Sequence, residues 1–297
     1  MAISHDRTTM RYTSRLFLAA IAALVASTSS CATAPANKDS PPTEFAFALV
    51  ADMPYSAEQD TEFERLTAVI NADEDLSWVI HLGDFKGGSA PCSDSVFVHR
   101  LNLFQKFERP FIFLPGDNDW ADCHRTGSDP LERLTKIRSL FFPQPGRTLG
   151  RQTMPVVTQA AHPMFAEFPE HVRWKKNGVM FAALHIVGSL NAGWAFERRT
   201  EAHDDEVERR TNAAIAWMQQ SFEEAIADKS AGLFLMIHGN PRFEAIPTDT
   251  LSQQAYGGFV GALEREVIRF GRPVILAHGA TTSASTNHCE TRLLVAG

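Results

Sequence analysis

The chain has 297 residues, of which 44% are hydrophobic and 21% charged, a composition that suits one large globular domain or two small ones and excludes a disordered polyelectrolyte. Acidic residues (35) outnumber basic ones (28), the formal charge is -7, and no long basic run occurs, so nucleic acid and anionic membrane surfaces are poor partners. A carboxylate-lined metal site fits the same balance.

Arg7, Arg11 and Arg15 precede an apolar run from Leu16 to Val25 and then the small residues of ASTSSCATAPA, the pattern of a secretory signal over residues 1–31. That run is about half the roughly twenty apolar residues a bilayer span needs. Cys31 is a candidate lipid attachment point, yet Thr28 stands where lipoprotein signals usually carry a large aliphatic, so a membrane-anchored and a freely periplasmic form both stay open. Export would place the chain where disulfides persist. Cys92 and Cys123 each lie in a loop after an apolar strand, and a bridge would staple those loops together; the alternative is two free thiols. Cys289 is expected to be unpaired.

Residues 32–44, ATAPANKDSPPTE, read as a flexible tether, and the folded domain is expected over residues 45–279. From Phe45, apolar runs alternate with helical patterns: FAFALVAD, a helix through EFERLTAVINA, LSWVIHLGD, a helix through SVFVHRLNLFQKF, and PFIFLPGD. Such alternation predicts an α/β sheet. Next come a short helix at LERLTKIRSLFF, a Pro- and Gly-bearing loop, and two strands about the Lys176-Asn177-Gly178 turn. A long helix is predicted from about Asp204 to Asp228, with Ile215, Met218, Phe222, Ala225 and Ile226 on its core face. The strand GLFLMIHGNP, a helix around FVGALEREVIRF and the strand PVILAHG follow.

The strands end in polar residues of one chemical kind: Asp52, Asp84, then Asp117, Asn118 and Asp119, then His238, and finally His278. In an open α/β sheet, residues just past the carboxyl ends of strands share one crevice. Carboxylates gathered there repel each other unless a cation neutralises them, so a divalent metal is the economical explanation, and the mixed Asp, Asn and His set suits Mn, Fe or Zn better than calcium.

In order and placement, LVAD, GDFKGG, PGDNDW, IHGNP and AHGATT resemble the motifs of the calcineurin-like metallophosphoesterases, over roughly Phe45 to Gly279. The resemblance implies a four-layer α/β/β/α sandwich of two packed mixed sheets flanked by helices. It also implies hydrolysis of a phosphoester by metal-activated water, with one or two divalent ions. Asp84 would bridge two metals, Asp52 would bind the first, and Asp117 and His238 the second. The pattern is incomplete. Pro54 replaces the first-motif His, Asn118 replaces the His that assists the leaving oxygen, and Ala280 and Thr282 stand where the last two ligands belong. Asn118 and Asp119 remain the candidate catalytic positions, although an amide is no acid near neutral pH and Asp119 could equally cap the next turn. His278 precedes the motif glycine where ligands usually follow it, so it is weighed both as a ligand and as a core residue.

Other residues have plainer readings. His81 and His185, inside apolar strands, are expected to be satisfied core histidines, while His124, His162, His203 and His288 are expected on the surface. Gly188, Ser189 and Asn191 could admit a phosphate or form a plain loop. Arg198, Arg199, Arg209 and Arg210 could meet an anion or form a solvated helix face with Glu206 and Glu208.

From Ala280 to Gly297 the composition changes to an atypical tail without helix or strand periodicity. One reading is a shifted reading frame after Gly279, since permitted codons can be chosen that restore an Asp-Lys-Pro-Leu continuation similar to one branch of the family; the nucleotide sequence decides it. Such a tail is expected to leave the last sheet edge unpaired. The function expected is metal-dependent phosphoester hydrolysis at an incomplete site, and the alternative is a non-catalytic envelope protein that keeps the fold. No loop carries a pattern that names the substrate.

Overall fold

The structure, a computed structural model, describes residues 44–279 and the backbone of residues 290–294. The expected signal, Cys31, the tether, Ala280, Thr282, His288 and Cys289 lie outside the residues so described.

Two sheets carry the fold. The first is three-stranded and parallel, in the order β1 (Ala46–Val50), β2 (Leu76–His81), β3 (Phe111–Phe113). The second runs β4 (Val157–Thr158), β5 (Val172–Lys176), β6 (Val179–Ala183), β7 (Gly232–Ile237), β8 (Val274–His278), β9 (Glu290–Leu294). Its β6, β7 and β8 are mutually parallel, and β4, β5 and β9 are antiparallel to their neighbours. The first sheet is therefore not mixed as expected: a helix after each of its first two strands carries the chain back, the crossover that parallel neighbours need. The tail expectation also fails, because residues 290–294 pair along the whole of β8 and close the edge that was to stay open.

Strand alternation explains the layering. On β2, Trp78 and Ile80 point one way and join Val172, Trp174, Phe181, Phe234 and Met236 of the second sheet in a core between the sheets. Trp78 and Phe181 meet edge to face at 5.2 Å between centroids, a favoured aromatic geometry. Val79 and the β3 aromatics Phe111 and Phe113 point the other way, against α1 (Ala57–Ala72), α2 (Asp94–Phe104) and α3 (Pro130–Phe141). Met180, Leu233, Leu235 and Leu276 likewise leave the second sheet toward a helical layer, described below. Both faces of the central strands are buried, so their sequences read as unbroken apolar runs rather than alternating ones.

The helices carry local signals. Asp129 caps α3, accepting from the Leu131 amide at 2.8 Å, and Pro130 takes the first turn where its missing N–H costs nothing. After a single turn, α4 (Gly188–Asn191), come α5 (Glu201–Ala227) and α6 (Thr250–Phe270), which form the outer layer of the second sheet. The α5 helix starts three residues before the expected Asp204, because Thr200 and His203 cap each other: the His203 Nδ1 lies 3.2 Å from the Thr200 amide. That contact also buries His203, so it is not the surface residue expected. Arg210 departs from the solvated face as well. It is fully buried, bonded to Glu206 at 2.9 Å and to the Asn191 side-chain oxygen at 2.7 Å. His81 and His185 are fully buried, as the apolar strands implied.

Candidate metal centre

Asp52 and Asp84 sit two and three residues past β1 and β2, where the chain leaves each strand, and both adopt left-handed backbone, with φ of 59° and 60°. Aspartate tolerates that region better than bulkier residues. Between them and the next strand end, Gly116 is required by close approach, since a Cβ there would overlap the Asp84 carboxylate and lie 2.5 Å from its amide nitrogen.

One ligand atom from each of Asp52, Asp84 and His238 lies within 4.8 Å of the others. His238, just past β7, places Nε2 2.9 Å from Asp117 Oδ1 and 3.3 Å from Asp84 Oδ1. Its Nδ1 lies 2.6 Å from the Leu82 carbonyl and donates to it, which fixes the ring and leaves Nε2 facing the carboxylates. The Asp52 Oδ2 atom is shielded from solvent with no hydrogen-bond partner. An unpartnered carboxylate oxygen, two neighbouring carboxylates and an imidazole nitrogen held toward them form a donor set that fits a divalent cation.

The electrostatics agree. Burial pushes the Asp84 carboxyl well above its ordinary pKa, and Asp117 and Asp119 add to the rise against the opposing pull of His238. Asp52 is raised for the same first reason, burial. Burial alone would lower His238, but Asp84 and Asp117 outweigh it and hold the imidazole well above its usual value. Asp117 is the exception among the carboxylates: hydrogen bonds from His238 and Ser189 overcome its burial and keep it lowered.

Asp119 has a different role. Fully buried, it accepts from the amides of Asp84 (3.0 Å), Phe85 (2.8 Å) and Gly116 (2.8 Å), tying the two strand-end loops together from behind. Burial raises its pKa to about 6 against those amides. Asn118 is half-buried and donates its backbone N–H to Asp84 Oδ1 at 3.0 Å. His278 is buried at the end of β8, with Ile237 as its register partner, and is not in the Asp52, Asp84 and His238 group. The two loops are also joined by the Cys92–Cys123 disulfide that the sequence allowed.

Three neighbours escape a reading by strand ends alone. Tyr55 puts its hydroxyl 3.3 Å from Asp52 Oδ1 and 3.5 Å from Asp84 Oδ2, and burial followed by those charges keeps it protonated far above the ordinary phenol range. Asp122 accepts from Ser189 Oγ at 2.9 Å while that hydroxyl also contacts Asp117 at 2.7 Å, and burial and Asp117 raise it to about 6. Lys86 is 1% exposed. Burial lowers its pKa, and Asp119, Asp84 and Asp122 oppose that fall. Their only signal is proximity to a motif aspartate in sequence. Ser189, weighed as part of a phosphate-approaching loop, is carried by the left-handed α4 turn and reaches the site through Asp117. Beyond it lies a small recess with room for little more than a water, lined in part by Trp120, Asp122, Ser189, Trp194 and Phe196.

No model of a known protein family matches the chain, and no curated protein matches it significantly. What the fold and the site define is an α/β protein with two sheets and a buried Asp/Asp/His group able to hold a metal ion. Among the described residues no helix is long and apolar enough to cross a membrane.

Proposed function

We infer that the protein is a metal-dependent phosphoesterase of the calcineurin-like type, exported through its N-terminal signal and either free in the periplasm or lipid-anchored at Cys31. The observation that carries this reading is the convergence of Asp52, Asp84 and His238 at three strand ends, with an Asp52 oxygen left without a donor. Asp52, Asp84, Asp117 and His238 would hold Mn, Fe or Zn. A bound divalent ion lowers the pKa of water and neutralises charge growing on phosphoryl oxygens. The chain's own groups then do the rest. Tyr55, held protonated, shares its one O–H proton between the Asp52 and Asp84 carboxylates and helps to orient them. Asp119 fixes the Asp84 and Gly116 backbones, and Leu82 fixes the His238 ring.

Asn118 can hydrogen-bond a leaving oxygen but has no proton to transfer. Esters with acidic leaving groups, such as aryl phosphates, should therefore turn over, and simple alkyl phosphates should be slower by about a hundredfold or more. The same residue favours the second reading, a non-catalytic envelope protein that keeps the fold. Purified protein with added manganese and an activated aryl phosphate separates them. Turnover well above that of Asp84→Ala supports the hydrolase; turnover equal to that variant, with metal bound to the wild type, rejects it.

A further inference from the structure

We propose that the left-handed α4 turn is a positioning device for the metal centre, in which backbone strain holds the Ser189 hydroxyl on Asp117 and so sets how firmly the site binds its ion. The inference rests on the metal-site reading above. It begins with the backbone: Ser189, Leu190, Asn191 and Ala192 all have positive φ, between 51° and 66°. Glycine and asparagine enter that region readily, whereas other L-residues adopt it as single positions rather than in a row. A run of four that includes a leucine is costly, and such strain persists only where the surroundings impose it.

Here they do. Arg210, fully buried, donates to the Asn191 carbonyl at 2.8 Å and to its side-chain oxygen at 2.7 Å. The Asn191 backbone N–H donates to the Tyr256 hydroxyl at 3.0 Å, which in turn donates to the Val187 carbonyl at 2.9 Å. Arg199 donates to the Ala192 carbonyl at 2.9 Å. Gly188 lets the turn press on the site, since a Cβ there would lie 2.5 Å from Asp117 Oδ1. What these contacts deliver is the Ser189 hydroxyl, whose one O–H proton is shared between Asp117 Oδ2 at 2.7 Å and Asp122 Oδ1 at 2.9 Å. The other oxygen, Asp117 Oδ1, stays turned to His238 Nε2 at 2.9 Å. Fixed at one oxygen by Ser189, the carboxylate offers the other to an ion without having to be ordered as the ion binds. A turn relaxed to negative φ would re-aim the Ser189 side chain, so the strain and the contact come together.

Two variants at one position separate the hydroxyl from the strain. Ser189→Ala removes the hydroxyl and keeps a Cβ at positive φ; Ser189→Gly removes both. Manganese affinity of the purified chain, measured by isothermal titration calorimetry, should fall about tenfold or more in each, the usual consequence of losing a group that orients a ligand. Metal-free Ser189→Gly should nevertheless melt about 2–4 °C above Ser189→Ala, because glycine enters the left-handed region without a Cβ clash. Weak metal binding together with relief of strain is a pair of signs that a purely structural serine does not give. Unchanged affinity in the folded variants would overturn the proposal. So would a Ser189→Gly that melts no higher than Ser189→Ala, or a wild type that binds no manganese. If Ser189→Ala does not fold, the affinity of Ser189→Gly, which carries no strain at that position, still decides. The hydrolase reading fails separately: the expected affinities and melting points with no turnover refute that reading and leave this one standing, whereas turnover with an affinity indifferent to Ser189 does the reverse.

Discussion

Glu170 and Asp84 are both buried carboxylates, yet burial leaves them in opposite states. At Glu170 the burial penalty is overcome by Arg138, which reaches both carboxylate oxygens, and by His185 at 2.8 Å, so the group stays ionised far below the usual glutamate range. At Asp84 the penalty wins, because the charged neighbours include Asp117 and Asp119 and the chief opposing group is His238. Unpartnered atoms do not separate the two regions, since His185 Nε2 lacks a partner just as Asp52 Oδ2 does. Charge separates them. The Glu170 cluster contains its own counter-ions and needs nothing from solution; the Asp84 cluster is short of positive charge, and that deficit is what a metal ion would fill.

Removing one partner from each cluster should break the symmetry most sharply. Arg138→Met keeps the aliphatic stem over Phe168, 5.2 Å from the present guanidinium carbon, but strands Glu170 in the core. Urea denaturation should show a loss of about 3–5 kcal/mol, the usual consequence of breaking a buried pair. A loss under about 1 kcal/mol would mean that Glu170 is neutral and that the contrast with Asp84 is misdrawn. Asp84→Asn should do the reverse. The metal-free variant should be as stable as wild type or slightly more so, because a repelled carboxylate has gone. Manganese at a hundred times its Kd should stabilise wild type by about 2.7 kcal/mol and leave the variant unmoved, measured as a thermal shift. An equal shift in both would place the ion elsewhere.

The same contrast explains how much of the molecule could be read from its sequence. Asp52, Asp84, Asp117 and His238 were legible because each ends an apolar run, and strand ends in an α/β sheet meet by topology rather than by side-chain detail. The hairpin at Asn177-Gly178 was legible from turn chemistry. The Glu170 cluster was not, since Arg138 and Glu170 are 32 residues apart and neither position breaks a local period in a way that announces the other. Arg210 looked like one charge on a solvated helix face, and only its bonds to Asn191 and the His185 carbonyl reveal that the left-handed α4 turn is built around it. Lys86 was hidden for a related reason: a lysine in a Gly-rich loop is exposed by default, and burial becomes intelligible only once the carboxylates around it are placed.

Acid should act on the two regions with opposite sign, and the difference between wild type and Asp84→Asn is the informative quantity. His81, His171 and His185 are fully buried, and burial lowers their pKa values to about 4, about 3 and about 4 from the usual 6.5. In the unfolded chain these rings take up protons near pH 6.5, whereas in the folded chain His81 and His185 do not until about pH 4 and His171 not until about pH 3. Below pH 6.5 the unfolded state thus binds more protons, and stability falls as pH falls, by about 1.4 kcal/mol per pH unit for each such ring, until the folded pKa is reached. Asp84 works the other way. Its pKa is raised in the folded state, so protonation favours the metal-free fold as the pH drops and offsets part of the histidine loss. Between pH 7.5 and pH 5, metal-free wild type should therefore lose less stability than metal-free Asp84→Asn, which lacks that offset. Chemical denaturation at the two pH values checks this: parallel losses would mean that Asp84 is ionised in the fold like Glu170, and the charge deficit assigned to the strand-end crevice would disappear.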